Sequence, residues 1–388
     1  MRLAVCSHKP CWPSSASPSG YATDGGFAFQ MDALSQLFES TTLLVPCQRT
    51  GRAPGEIPLT GRHLSIAPLT SPRGTGVGRK LAMVPWLARN AATLWTEVRL
   101  ADAVHAPIPG DVGTIGMLLA LALGKPLFVR HCGNWHVQRT AAERFWRWFM
   151  ERFGGGRNVM LATGGDGAPP SARNPALRWI FSTTLTINEL RACAVDREHP
   201  GDRCRLIIAC RQETAKGTAV VIDAMPQVLE RWPEATLDVV GDGSALRTFK
   251  ERATALDLDS RVTFHGKVGH AAVIDLMKRA DVFCYPTSSS EGFPKVVLEA
   301  LACGLPVITT PVSVLPYLLR NGAGLVVEQA TPAALAAAID RCLESRDGYR
   351  AMSARAVETA RQFSLERWTE TIAASLTAAW GELRPSGA

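Results

Sequence analysis

Ten cysteines are scattered through the 388 residues, at positions 6, 11, 47, 132, 193, 204, 210, 284, 303 and 342, and none forms a Cys-x-x-Cys pair. That absence removes the zinc-ribbon and thioredoxin readings. Cys210 and Cys284 fall in strand-like runs, where a free thiol acts as a small hydrophobe, and reduced thiols fit a cytosolic protein. Long apolar runs are also missing. The longest, Ile115 to Leu123, falls short of the ~20 residues a membrane span needs and reads as a core helix. The opening Met1 to Cys6 runs at once into His8, Lys9 and Pro10, without the apolar stretch of a signal peptide, so a cytoplasmic location is expected. No repeat period or biased tract dominates, which excludes collagen-like, coiled-coil and low-complexity classes. With 46% hydrophobic and 20% charged residues the chain is not a disordered one. Its length predicts two domains of ordinary size.

Charge is unevenly spread. Residues 1–200 hold 21 Lys+Arg against 13 Asp+Glu, whereas residues 201–388 hold 21 against 22. A basic first half beside a neutral second half predicts an anionic partner for the first half. A phosphorylated acceptor, an acidic membrane surface and nucleic acid are the classes open at this point, beside a charge that serves solubility alone.

The first half alternates strand and helix. Leu3 to Cys6, Thr42 to Val45, Ala103 to Ala106 and Pro126 to Val129 read as strands. Phe27 to Leu37, Lys80 to Leu100 and Val112 to Leu123 read as helices, with Pro85 at the start of its helix or kinking it. Residues 154–176 turn to Gly, Pro, Ala and Asn and read as a long surface loop. Gly164-Gly165-Asp166-Gly167 inside it has no helix behind it and is not a phosphate loop. Residues 196–203 are polar and turn-rich and read as the linker. Beyond them the alternation is regular: strands at 206–210, 236–240, 262–265, 282–285 and 306–309, helices between them, and three closing helices at 332–344, 349–361 and 365–380. This βα repetition predicts a doubly wound parallel sheet.

In such a sheet ligands bind beyond the carboxyl ends of the strands. There the second half carries Arg211 with Lys216-Gly217, then Gly241-Asp242-Gly243, then Gly266-Lys267-Val268, then Ser288 to Lys295 opening a helix that holds Glu299. Pro294 suits the first turn of a helix. The N–H groups of Lys295, Val296 and Val297 then form an anion site suited to a diphosphate, and Gly292 lets a ligand approach the backbone. Glu291 and Glu299 are placed to hold hydroxyls on either side of that diphosphate, while Arg211 and Lys216 supply the charge a departing nucleoside diphosphate requires. Asp257-Leu258-Asp259, the one carboxylate pair of metal-binding type, sits at a helix end on the wrong edge of the sheet, so no metal is expected. His131 to His136 matches no zinc spacing.

These segments, together with Val262-Thr263-Phe264-His265-Gly266 and Gly304-Leu305-Pro306-Val307, resemble in order the family 4 retaining glycosyltransferases of GT-B fold over about residues 203–365. The glutamates at 291 and 299 match that family's paired-glutamate motif. The resemblance implies an α/β protein with two Rossmann-like domains facing across a cleft: residues 1–195 binding the acceptor, 203–365 binding a nucleotide-sugar, and 366–388 a helix and tail crossing back to the first domain. It implies that Arg211 and Lys216 hold the diphosphate, Glu291 the donor sugar and Glu299 the ribose. Gly266 to Val268 then lie against the base, and Gly292, Phe293, Pro294, Lys295 and Val296 line the donor pocket. Gly25-Gly26 sits where the family has a glycine-rich loop, and His131 where many members have a His facing the sugar. No metal or cofactor is implied, since the nucleotide-sugar is a substrate. The Asn-Gly-Val-Asp segment usual before the second domain is absent, with Thr184 to Cys193 in its place.

The expected activity is sugar transfer to a glycan or lipid-linked acceptor, as in cell-surface polysaccharide or glycolipid synthesis. A nucleotide-sugar epimerase of GT-B fold and a non-catalytic nucleotide-sugar sensor are the rivals. Phe145, Trp146, Trp148, Phe149 and Phe153, interleaved with Arg144, Arg147 and Arg152, read either as a helix docking on anionic lipid at the inner face of a membrane or as a core helix with a basic outer face. Nothing beyond this stretch points to nucleic acid.

Overall fold

The computed structural model describes residues 1–50, 57–72, 74, 76–289 and 292–383. The chain divides into two compact units, Met1–Thr184 with the segment from Leu365 onward, and Leu185–Ser364.

In the first unit the elements run β1 (Arg2–Cys6), β2 (Trp12–Pro13), β3 (Tyr21–Thr23), α1 (Phe27–Ser35), β4 (Ser40–Pro46), β5 (Ile57–Pro58), β6 (Leu64–Leu69), α2 (Gly76–Leu100), β7 (Ala103–Ile108), α3 (Asp111–Ala122), β8 (Leu127–His131), α4 (Ala141–Phe153), β9 (Asn158–Thr163) and β10 (Arg178–Ile180). Seven of the strands form a parallel sheet in the order β10-β9-β8-β7-β1-β4-β6, while β2, β3 and β5 make a small antiparallel one. Successive side chains of a strand point to opposite faces. Ala4 and Cys6 thus pack with Val104, Val129 and the apolar sides of α2, α3 and α4. Leu3, Val5 and Phe128 pack with Met31 and Leu34 of α1 and with Trp368 and Ile372 of the last helix. Helices on both faces are what lets a parallel sheet be apolar on both.

In the second unit the order is α5 (Ile187–Cys193), β11 (Arg205–Ala209), a 3-10 turn (Thr214–Lys216), α6 (Thr218–Arg231), β12 (Thr236–Val240), α7 (Leu246–Ala255), β13 (Val262–Gly266), α8 (His270–Arg279), β14 (Val282–Tyr285), α9 (Lys295–Ala302), β15 (Val307–Thr309), α10 (Leu315–Leu319), β16 (Gly324–Val326), α11 (Pro332–Leu343) and α12 (Arg346–Arg361). Its parallel sheet runs β13-β12-β11-β14-β15-β16. Leu206 and Ile208 face the core built by α6, α7 and α11. The last helix, α13 (Leu365–Trp380), belongs to the first unit.

The two Rossmann-like sheets agree with the expected fold class, and the differences from the expected elements have physical causes. The loop expected at 154–176 contains β9, a strand paired on both sides, because Val159 to Ala162 is an apolar run inside a Gly-rich stretch. The strand β6 carries Pro68, which a strand at the edge of a sheet tolerates. Pro85 lies inside α2 rather than at its start. The units part at Thr184/Leu185 and not at residues 196–203, because α5 packs on α9 and α12. The expected linker is itself pinned. The Arg197 guanidinium is buried and donates to the carbonyls of Cys303 (2.9 Å), Met277 (2.8 Å), Lys278 (3.4 Å) and Ala280, so one cation caps the ends of α8 and α9. His199 is hydrogen-bonded to the Leu343 carbonyl at 2.8 Å.

Candidate functional site

Strand order in the second unit reverses between β11 and β14, so the loops after these two strands border its crevice. The loop after β11 carries Arg211, exposed, and Lys216, only 4% exposed, at the end of the 3-10 turn. Burial, with Arg211 nearby as a lesser cause, lowers the Lys216 ammonium below its ordinary value. Gly217 follows in the left-handed region (φ 89°), and a Cβ there would stand 2.3 Å from the Pro286 carbonyl oxygen. Only glycine permits that approach. The loop after β14 is tied to the same place: the Ala215 carbonyl accepts from Ser288 N (2.9 Å), Ser289 N (3.2 Å) and Thr287 Oγ1 (3.0 Å).

A residue that the sequence reading missed organises the other side. Gln212 is fully buried. Its Nε2 donates to the carbonyls of Val240 (2.9 Å) and Cys210 (3.1 Å), and its Oε1 accepts from Thr218 Oγ1 at 2.8 Å. It thus locks the ends of β11 and β12 and the start of α6 around Arg211. Gly241 completes the contact, since a Cβ there would lie 1.9 Å from the Cys210 carbonyl oxygen. A Gln beside an Arg in a polar loop carries no sequence signal of burial.

Pro294 is the N-cap of α9, one residue ahead of the first turn where it was expected. The Val297 N–H is used within the helix start, donating to the Pro294 carbonyl at 3.1 Å, and so is not part of an open anion site. Lys295 and Val296 are half-buried, and Gly292 is buried. Phe293 is buried against Phe363, ring centroids 5.6 Å apart, and so supports the loop from the core side instead of facing a pocket. Ser290 and Glu291 lie outside the described residues. Gly266 adopts φ 64° with open space around its Cβ position, and Val268 is half-buried on the same loop ahead of α8. Glu299 is 12% exposed, and its Oε1 lies 3.1 Å from His270 Nε2. That bond, first among the causes, raises the His270 imidazole above its ordinary value. Asp257 and Asp259 end α7, where Asp259 accepts from Thr254 Oγ1 at 2.7 Å. Among the described residues no cluster of three His, Cys, Asp or Glu side chains is placed to hold a metal.

The remaining expected residues belong to the first unit. Gly25 (φ 63°) and Gly26, the N-cap, lead into α1, and Lys9 beside them pairs with Asp24. His131 ends β8, buried, in edge-to-face contact with Trp135. Burial is the main cause that lowers it to about 4, so its imidazole is neutral at pH 7. In α4, Phe145, Trp146, Phe149 and Phe153 pack into the core, Arg147 pairs with Glu151 at 3.1 Å, and of the aromatics only Trp148 is exposed. The core reading of that helix prevails.

The architecture is that of GT-B proteins. Over 97% of this chain and 100% of the other, the structure superposes on that of Anabaena Alr3699/HepE in complex with UDP, with a TM-score of 0.70 and 18% sequence identity. In sequence, residues 195–363 match the model of the family described as glycosyl transferases group 1. A phosphatidyl-myo-inositol mannosyltransferase of Mycobacterium tuberculosis is 35% identical over 117 residues, 30% of this chain and 30% of that protein. A GDP-mannose-dependent monoacylated alpha-(1-6)-phosphatidylinositol monomannoside mannosyltransferase of Corynebacterium glutamicum is 36% identical over 130 residues, 31% of this chain and 34% of that one. The matched segment thus spans about a third of the length of these relatives.

Proposed function

We propose that the protein is a retaining, metal-independent glycosyltransferase that moves a sugar from a nucleotide-sugar to a glycan or lipid-linked acceptor. The observation that carries this reading is the crevice of the second unit. There Arg211 and the buried Lys216 stand on a loop fixed by Gln212 and by the Ala215 carbonyl, with Glu299 on the neighbouring helix. The relatives named for mannosyl transfer and the UDP-bound structural neighbour support it.

In the reaction the glycosidic C–O bond to the diphosphate breaks and the electron pair leaves with the nucleoside diphosphate. Fixed cations stabilise that charge as it develops, without reorganisation at the moment of transfer. The acceptor hydroxyl attacks from the face the diphosphate leaves, and its proton passes to the departing phosphate oxygen. Glu299 holds the ribose, and Glu291 holds the donor sugar. The neutral His131 is suited to hydrogen-bond a sugar hydroxyl rather than to carry charge. Incubation with UDP- and GDP-sugars and a lipid or glycan acceptor tests the reading: transfer with retained anomeric configuration in the presence of a chelator is expected. An epimer formed from donor alone would favour the epimerase, and binding without turnover the sensor.

The first unit supports action at the cytoplasmic face of a membrane through α2, not α4. Leu81, Val84 and Trp95 are 72%, 74% and 49% exposed and share one side of the helix, and no acidic residue occurs between Gly76 and Thr96. Among the described residues no helix is long and apolar enough to cross a membrane.

A further inference from the structure

His270 entered none of the expectations above, yet it is the hydrogen-bond partner of the residue expected to hold the ribose. It is the first residue of α8, follows the Gly266–Gly269 loop, and is 60% exposed, whereas Glu299 on α9 is 12% exposed. A carboxylate only accepts hydrogen bonds, so His270 Nε2 must be the donor across the 3.1 Å contact. Among the described residues the Glu299 carboxylate has no other hydrogen-bond partner. One of its oxygens is therefore fixed from the α8 side and the other is left open. A vicinal diol needs both oxygens of a carboxylate held in one plane, and an unsupported Glu side chain rotates about its terminal torsion.

We propose that His270 is a positioning residue for the donor: by donating to Oε1 it sets the plane of the Glu299 carboxylate so that Oε2 and the second lone pair of Oε1 meet the two ribose hydroxyls. The inference rests on the nucleotide-sugar reading of this site. Its further consequence is a pH dependence. Glu299 raises the His270 imidazole above its ordinary value, with Cys193 and Glu189 of α5 adding smaller effects of the same sign and burial opposing them. The bond to Glu299 joins two opposite charges below that raised value, and as pH rises through it the donor loses its charge and the bond weakens. Donor binding then weakens with rising pH. Cys193 is a second titrating group at this spot. A hydrogen bond from Cys303, with Lys278 and His270 as minor causes, lowers its thiol below the ordinary value.

The experiment is calorimetric binding of UDP, GDP and their 2′-deoxy counterparts between pH 6.5 and 8.5. It compares wild type with His270→Gln, His270→Ala and Cys193→Ser. The terminal phosphate of the nucleotide titrates in every case, so the slope is read as the difference from His270→Gln, whose amide donates but does not titrate. For whichever ribonucleotide binds, wild type should lose about fivefold in affinity across the range beyond that variant, the difference between a charged and an uncharged donor to the carboxylate. At pH 6.5 His270→Ala should bind it about fivefold more weakly than wild type, and His270→Gln should restore most of the loss. Cys193→Ser should keep the wild-type slope. The 2′-deoxy nucleotides should bind wild type and His270→Ala alike, an outcome that general loosening of the fold does not produce. A slope no steeper in wild type than in His270→Gln, or a wild-type excess that vanishes in Cys193→Ser, overturns the proposal. So does an equal loss for ribose and deoxyribose ligands in His270→Ala. If wild type binds neither UDP nor GDP, it is the nucleotide-sugar reading itself that falls.

Discussion

The two units share one plan and differ in their balance of charge and in how they hold their histidines. The first holds 21 Lys+Arg against 13 Asp+Glu and the second 21 against 22. In the first, burial drives two histidines neutral: His131 is lowered to about 4, and His105, stacked on Phe128, to about 3. In the second, His270 lies near the surface beside a carboxylate and is raised. In the first unit a basic surface thus surrounds uncharged, buried imidazoles. The second unit has a near-neutral balance of charge, with Arg211 and Lys216 set together on one loop that Gln212 holds. The difference teaches that a doubly wound sheet fixes where ligands bind but not how their charge is met.

The largest effect expected from breaking this contrast is chemical. Lys216→Ala removes a fixed donor to a developing oxyanion and should lower turnover ~10²–10³-fold, about 3 kcal/mol of barrier, with little change in melting temperature. Single-turnover kinetics check it, and a rate within tenfold of wild type would remove Lys216 from the diphosphate site.

Next comes acid stability. His131 and His105 have folded values below the ~6.5 of an unfolded chain. Between pH 6.5 and 4 the unfolded state therefore takes up protons that the folded first unit does not, and stability is lost as pH falls. For His131 alone the loss is on the order of 3 kcal/mol by pH 4. His270 has the opposite sign: its contribution is complete below ~6.5 and disappears as pH rises through its raised value. Hydrogen exchange resolved by segment, at pH 7.5 and pH 5, should show opening concentrated in Met1–Thr184. Uniform acid loosening of both units would remove the distinction.

Gln212→Ala leaves the buried Cys210 and Val240 carbonyls without their amide donor and the Thr218 hydroxyl without its acceptor. A cost of ~2 kcal/mol in urea unfolding is expected, with weaker nucleotide binding. Smallest in stability, within ~0.5 kcal/mol, is the surface change Leu81→Asp with Val84→Asp. It should abolish sedimentation with vesicles of anionic lipid, whereas reversing Arg144, Arg147 and Arg152 to Glu should reduce it only in part. The reverse ranking would return the docking role to α4.

Wherever periodicity was strong the elements were legible, as in Thr218–Arg231 or Leu365–Trp380, because an apolar stripe with its period is a local property. The strand at Asn158–Thr163 was hidden because its Gly-rich flanks outweighed four apolar residues that only their pairing partners make a strand. The same limit applies at the site. Arg211, Lys216 and Glu299 could be named from their places after strands. Gln212 and His270 could not, since burial of one and pairing of the other depend on residues 28 and 29 positions away. The packing of Phe293 was hidden for a related reason, because its partner Phe363 is distant in sequence.

The guanidinium of Arg197 has a practical consequence for dividing the chain. It reaches four carbonyls at the ends of α8 and α9, the helices that carry His270 and Glu299. A fragment of the second unit that starts at Arg203, where composition alone would cut, discards that cation and α5 together. It leaves the carboxyl ends of both helices with unsatisfied acceptors. A fragment that starts at Leu185 keeps the cap. Fusions, permutations and segmental labelling should therefore be joined upstream of α5, where the cut spares the helix caps.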